Sequence, residues 1–161
     1  MIVTKKLMKM EKKFKLTKQL PEPFNTALQL SDFTFDYHLM PNKSDHKWLT
    51  ERGYELKMGG DCAFYVTGVS GLNATSYGDW GTAYYDENGW DGRDGFDLFC
   101  EMYNEGIVIP WRIWIYHDIG MYYYDHDKGI WSVNHRDGSY SWVDCENPLP
   151  KILSEINQNN E

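Results

Sequence analysis

The sequence predicts an α+β domain, an antiparallel β-sheet meander with N- and C-terminal helices packed on it. Three observations carry that expectation. Residues 107–144 hold four short runs of alternating character, IVIPWRIWIYHD, MYYYDHD, GIWSVNH and SYSWVD, joined by the turn sequences HDIG, HDKG and RDG. Prolines mark helical segments near both ends, in LPEPF and ENPLPKILSEINQ. A chain of 161 residues is long enough for one core and too short for two. The expectation is one domain over 1–161, with residues 1–10 a flexible basic arm.

Taken in order, Lys9 to Gln19 predict a helix whose apolar residues are Phe14, Leu16 and Leu20. Pro21 and Pro23 interrupt it because neither has an amide to donate, and Pro23 suits the first turn of a second short helix over Phe24 to Leu30. FTFDYHLM, residues 33–40, alternates Phe33, Phe35, Tyr37 and Leu39 with Thr34, Asp36 and His38, the period of a strand. Asn42 to Arg52 reads as a short helix or turn closed at Gly53, and YELKM and CAFYVTGV as strands around the turn Gly59-Gly60. Residues 70–95 are rich in Gly and acids and predict loops around a single strand, GTAYY. FDLFCEMY, 96–103, leans to helix. At the C-terminal end, Asn147 is the expected N-cap and Pro148 the first helical residue.

Charge is uneven. The first 20 residues carry seven Lys and one Glu, which leaves nine basic against 23 acidic residues in the remainder. An acidic body disfavours nucleic acid and suits a basic protein partner. A mean hydropathy of -0.62 and the lack of an 18-residue apolar run predict no membrane partner. MIVTKKLMKMEKKF lacks the apolar stretch of a secretory signal. Cys62, Cys100 and Cys145, odd in number and widely spaced, read as reduced thiols of a cytoplasmic protein.

His117, His126 and His135 recur every nine residues, each near an aspartate, which raises the question of a hydrolytic metal centre. Consecutive turns of a meander lie at opposite ends of the sheet, and a strand of six residues spans roughly 20 Å. The three histidines then cannot share one ion, although His117, Asp118, His135 and Asp137 could gather at one end. HDKG and RDG are ordinary turn chemistry, with Asp bonding local amides and Gly at positive φ. DENGWDGRDGFD fails the register of a calcium loop, because Trp90 stands where a ligand is needed. No phosphate-cradling or nucleophile-elbow motif is present; Ser70 in GVSG and Cys62 lack the surrounding pattern. The expectation is therefore no catalytic residue, no metal and no cofactor. Aromatics make up 16% of the chain, and simple alternation puts Trp111, Ile113 and Ile115 on one face of their strand with Arg112, Trp114 and Tyr116 on the other. One aromatic face is core. The second is either covered by residues 70–95 or exposed for a partner. Asp79, Trp80, Asp86, Glu87, Trp90, Asp91 and Asp94 are the predicted partner-binding residues, because acids and tryptophans concentrate there.

EKKFKLTKQLPEPFNTALQL has Leu20, Pro21 and Phe24 at the places of an LP-x-x-[FY] element that follows an N-terminal helix. IPWRIWIYHDIGMYYYDHDKGIWSVNHRDGSYSWVDCENPLPKILSEI adds strands and a closing helix. In this order of segments the chain resembles the SUKH superfamily of bacterial immunity proteins. The resemblance implies a twisted antiparallel sheet and a toxin-neutralising role through a variable surface, with no catalytic residue. Two alternatives stand beside it: a phage or mobile-element anti-defence protein that inhibits a host factor, and a small His/Asp metal-dependent hydrolase.

Overall fold

The computed structural model describes residues 14–59, 63–75, 79–87, 89, 91–118, 120–135 and 141–159. The basic arm, Cys62, Gly60, Trp90 and Asp137 lie outside them. Four helices and nine strands follow in the order α1 (Phe24–Ala27), β1 (Asp32–Leu39), α2 (Asp45–Glu51), β2 (Leu56–Met58), β3 (Ala63–Val66), β4 (Leu72–Thr75), β5 (Trp80–Asp86), α3 (Asp94–Asn104), β6 (Val108–His117), β7 (Gly120–Asp125), β8 (Ile130–His135), β9 (Val143–Cys145) and α4 (Leu149–Asn159). The expected α+β class is what forms. All nine strands join one antiparallel sheet in the order β2-β3-β4-β5-β1-β6-β7-β8-β9.

Two meanders thus flank β1, which enters between them from earlier in the chain. Both β5 and β6 pair antiparallel with β1, so they run parallel to each other and need a crossover. Helix α3 is that crossover. Phe33, Phe35 and Tyr37 point from β1 to the helix side, where Phe96, Phe99 and Met102 of α3 are fully buried. The Phe96 ring lies 4.9 Å from Phe14, 5.0 Å from Phe33 and 5.3 Å from Phe35, so much of the aromatic content forms one edge-to-face core. Phe24 of α1 packs on Phe35 and Tyr124, and Leu149 and Ile152 of α4 are buried in the same layer.

Caps set the helix ends. The Ser44 side chain accepts the Lys47 amide at the start of α2, and Asn147 Oδ1 accepts the Leu149 amide at the start of α4. Tyr37 Oη donates to Asp45 Oδ2 at 2.7 Å in the interior, where burial raises the pKa of the Asp45 carboxyl. Gly81 gives the Tyr37 ring its space: a Cβ there would overlap the phenol and sit 2.8 Å from the Asn73 carbonyl oxygen. Gly81→Ala is expected to cost about 1–3 kcal/mol through overpacking, read as a lowered urea midpoint at unchanged slope.

Four sequence expectations need correction. Residues 70–95 do not form loops around one strand, because Leu72–Thr75 adds β4, held by ladders to both β3 and β5. Residues 14–20, the described part of the expected first helix, are not helical. They are strapped to α3 by Asn104, whose Oδ1 accepts the Thr17 amide and whose Nδ2 donates to the Lys15 carbonyl. Helix α1 stops at Ala27 rather than Leu30. Finally, Trp111 does not share the face of Ile113. The β1–β6 register slips between Asp36 and Tyr37, whose partners are Arg112 and Pro110. Trp111 is the extra residue of a β-bulge, and it turns to the same side as Arg112.

Candidate functional site

None of the four helices packs across the second face of the sheet. Cross-strand register builds that face in rows. In one row Tyr65, Asn73, Thr82, Asp36, Arg112 and Asp125 stand side by side across β3, β4, β5, β1, β6 and β7. In the next, Tyr84, Thr34, Trp114, Tyr123 and Ser132 do the same from β5 to β8.

Asp36 is the polar centre of this face and only 4% exposed. Its Oδ2 accepts from Arg112 Nε and from Trp114 Nε1, each at 2.8 Å, and its Oδ1 accepts from Thr82 Oγ1 at 2.8 Å. Three donors on β5 and β6 thus converge on one carboxylate of the strand between them. The Arg112 guanidinium lies 3.6 Å from the Trp111 ring centre and 5.4 Å from that of Trp80, while His38 stacks on the other side of Trp111 at 3.8 Å. The bulge therefore builds an aromatic cradle around an internal arginine. Trp111 Nε1 is buried and has no hydrogen-bond partner among the described residues, a cost that the stacking must offset.

Beside this cradle a groove of about 510 Å³ opens between β5, β1 and β6. Asp36, Arg112 and Trp114 floor it, Trp80 and Thr82 stand at one end, and Tyr84, Tyr116, Asp32, Asp86 and Asp91 at the other. Among the described lining residues, four carboxylates meet a single guanidinium there. Asp32 and Asp86 are direct cross-strand partners, a placement that is unfavourable for two like charges. Asp91 has its pKa raised by burial and then by the neighbouring Asp86, and Tyr84 has its own raised by burial and then by Asp36. The carboxylate surplus is held at a cost to the fold.

The sign of that cost is testable. The Asp91 pKa in the fold lies above the ordinary 3.8, so the folded chain binds more protons than the unfolded one between those values. Stability attributable to Asp91 is present below 3.8 and is lost as pH rises through the folded value. Asp91→Asn is accordingly expected to melt above the parent at pH 7, with the gap closing below pH 3.8. A variant that melts lower at neutral pH would contradict this reading.

The predicted partner-binding residues divide. Trp80, Asp86 and Asp91 line the groove. Asp79 and Glu87 are exposed at the two ends of β5, and their backbones bond Leu39 and Ser31. Asp94 sits in the first turn of α3, on the helix side of the sheet, where it complements the helix dipole. The sequence reading missed Asp36, Thr34, Tyr84 and Asp32. The one available signal was the acid inside an alternating strand, FTFDYHLM.

The histidines stand where the meander puts them. His117 is aligned with Gly120 and Gly120 with His135, so the two histidines are two strands apart, about 10 Å. His126 is at the opposite end, in a turn where Asp125 Oδ1 accepts the Asp127 amide and Gly129 takes φ 66°. Among the described residues one set of potential metal ligands converges, His117, Asp118 and Glu155, with ligand atoms within 4.8 Å of one another. His117 Nε2 and Glu155 Oε2 are 2.7 Å apart, a contact that fastens α4 to the end of β6. Cys100 is a buried free thiol with its pKa pushed well up by burial, the opposite of an activated nucleophile.

No helix among the described residues is long and apolar enough to cross a membrane. No protein-family model, no curated protein and no solved structure matches the chain.

Proposed function

We propose that this chain is a non-enzymatic inhibitor that acts by binding a basic protein partner, as a cytoplasmic immunity protein does with a toxin. One observation carries the reading: the sheet face that no described helix covers combines aromatic side chains with a surplus of carboxylates among its described residues. Tryptophan and tyrosine supply contact area at low entropic cost and dominate binding energies, while a negative field accelerates encounter with a positive partner. Tyr116 and Trp142 on this face remain 57% and 43% exposed. The order of elements resembling the SUKH superfamily supports the immunity role within this class, and an anti-defence inhibitor would use the same surface physics. The hydrolase alternative has less support, because His117 and His135 stand two strands apart.

Co-expression tests the proposal. The products of the genes that flank the coding sequence are expressed singly in a bacterial host, then together with this chain. The expected result is that one product arrests growth, that the chain restores it, and that the two elute as one complex. No protection and no complex with any flanking product would contradict the inhibitor reading.

A further inference from the structure

We propose that the groove between β5, β1 and β6 is an arginine receptor: it takes the guanidinium of an arginine side chain presented by the partner. The inference rests on the inhibitor reading for its biological setting and on the geometry of the groove for its chemistry.

The molecule contains its own template. Arg112 shows how this face holds a guanidinium, with its Cζ over the Trp111 ring at 3.6 Å and its Nε donating to the Asp36 carboxylate at 2.8 Å. Planar stacking and directed hydrogen bonds are the two interactions that separate arginine from lysine. The adjoining groove repeats the ingredients with no second cation among its described lining residues. Trp114, Tyr84 and Tyr116 line it with aromatic side chains, and Asp32, Asp86 and Asp91 supply carboxylates at the same end. Trp114 is held in place by its bond to Asp36 and by Tyr123, whose ring centre is 4.3 Å away, so the platform is preorganised.

Charge decides between possible occupants. An anionic ligand such as a phosphate would meet Asp32, Asp86 and Asp91. A neutral planar ligand would leave the repulsion between Asp91 and Asp86 in place. A cation relieves it, and a volume of about 510 Å³ admits a whole arginine side chain together with a neighbouring residue. Cation–π attraction adds to the ionic term when the cation is shielded from water.

Nuclear magnetic resonance of the full chain with labelled tryptophan indoles tests this on the protein alone. The probes are N-acetyl-arginine amide, the lysine compound, and the citrulline compound, which keeps the shape of arginine without its charge. The arginine compound is expected to give saturable shifts of the Trp80 and Trp114 indoles. The buried Trp48 and Trp131, on the helix side, should stay still. Asp91→Asn should weaken the arginine compound about fivefold, the effect of removing one partly exposed charge pair. Equal response to citrulline or lysine, or no change in affinity in Asp91→Asn, would overturn the assignment. The two proposals fail separately. Lost arginine selectivity leaves a partner to bind elsewhere on the chain, while a failed growth rescue leaves the receptor chemistry intact.

Discussion

An Asp36→Ala variant is expected to lose about 3–5 kcal/mol of folding stability, the cost of breaking a buried ion pair from one side. The change strands three donors at once: the Arg112 guanidinium, the Trp114 indole N–H and the Thr82 hydroxyl all bond this carboxylate. Each belongs to a strand that β1 joins, so the loss falls on the middle of the sheet. Asp36→Asn keeps the shape and one acceptor, and should cost less. Converting Arg112→Met in the Asp36→Ala background should recover part of the deficit, because an apolar pair leaves no uncompensated charge. Urea unfolding of the three variants checks the order. An Asp36→Ala midpoint equal to the parent would mean that the network is solvated and has no structural weight.

Phe96→Ala should be as severe, at about 3–5 kcal/mol, for a different reason. Its ring is fully buried and meets Phe14, Phe33, Phe35, Tyr85 and Phe99 within 6.1 Å. Those partners come from the N-terminal segment, β1, β5 and α3 itself, so the cavity would open where the crossover helix meets the centre of the sheet. Collapse around it is hindered because the neighbouring rings are pinned by one another. Phe96→Leu, which keeps more of the volume, should fall between the parent and Ala in thermal unfolding.

The two losses separate what the sequence made legible from what it hid. The C-terminal meander was readable from its turn chemistry, as in the β7–β8 turn, where Asp125 bonds the amides of its own turn and Gly129 adopts positive φ. Helix α3 was readable from its apolar residues, although its role as a crossover was not. Strand β4 was hidden because LNAT is only four residues long and its alternation rests on Leu72 and the small Ala74, both buried, so that it is a strand chiefly because β3 and β5 pair with it. The orientation of Trp111 was hidden because one extra residue in a ladder reverses the facing of its neighbours, and nothing local marks the slip. The groove was the least legible feature. It exists because β1 inserts between β5 and β6, which brings Asp36 against residues 46 and 76 positions later. Acid-rich composition pointed to the stretch of chain that contributes Trp80, Asp86 and Asp91 to the groove. It also drew in Asp94, which the crossover helix carries to the opposite side.

That division supplies the most direct test of the central claim, that the face opposite the helices and its groove meet the partner. With the complex identified by growth rescue, association rates are measured at low salt for the parent, an Asp32→Lys/Asp91→Lys double variant and an Asp94→Lys variant. Reversing two groove charges should slow association about tenfold or more, with the difference shrinking as salt is raised, while Asp94→Lys stays close to the parent rate. If Asp94→Lys slows association and the groove variant does not, the partner sits on the helix side and the account of this face is wrong.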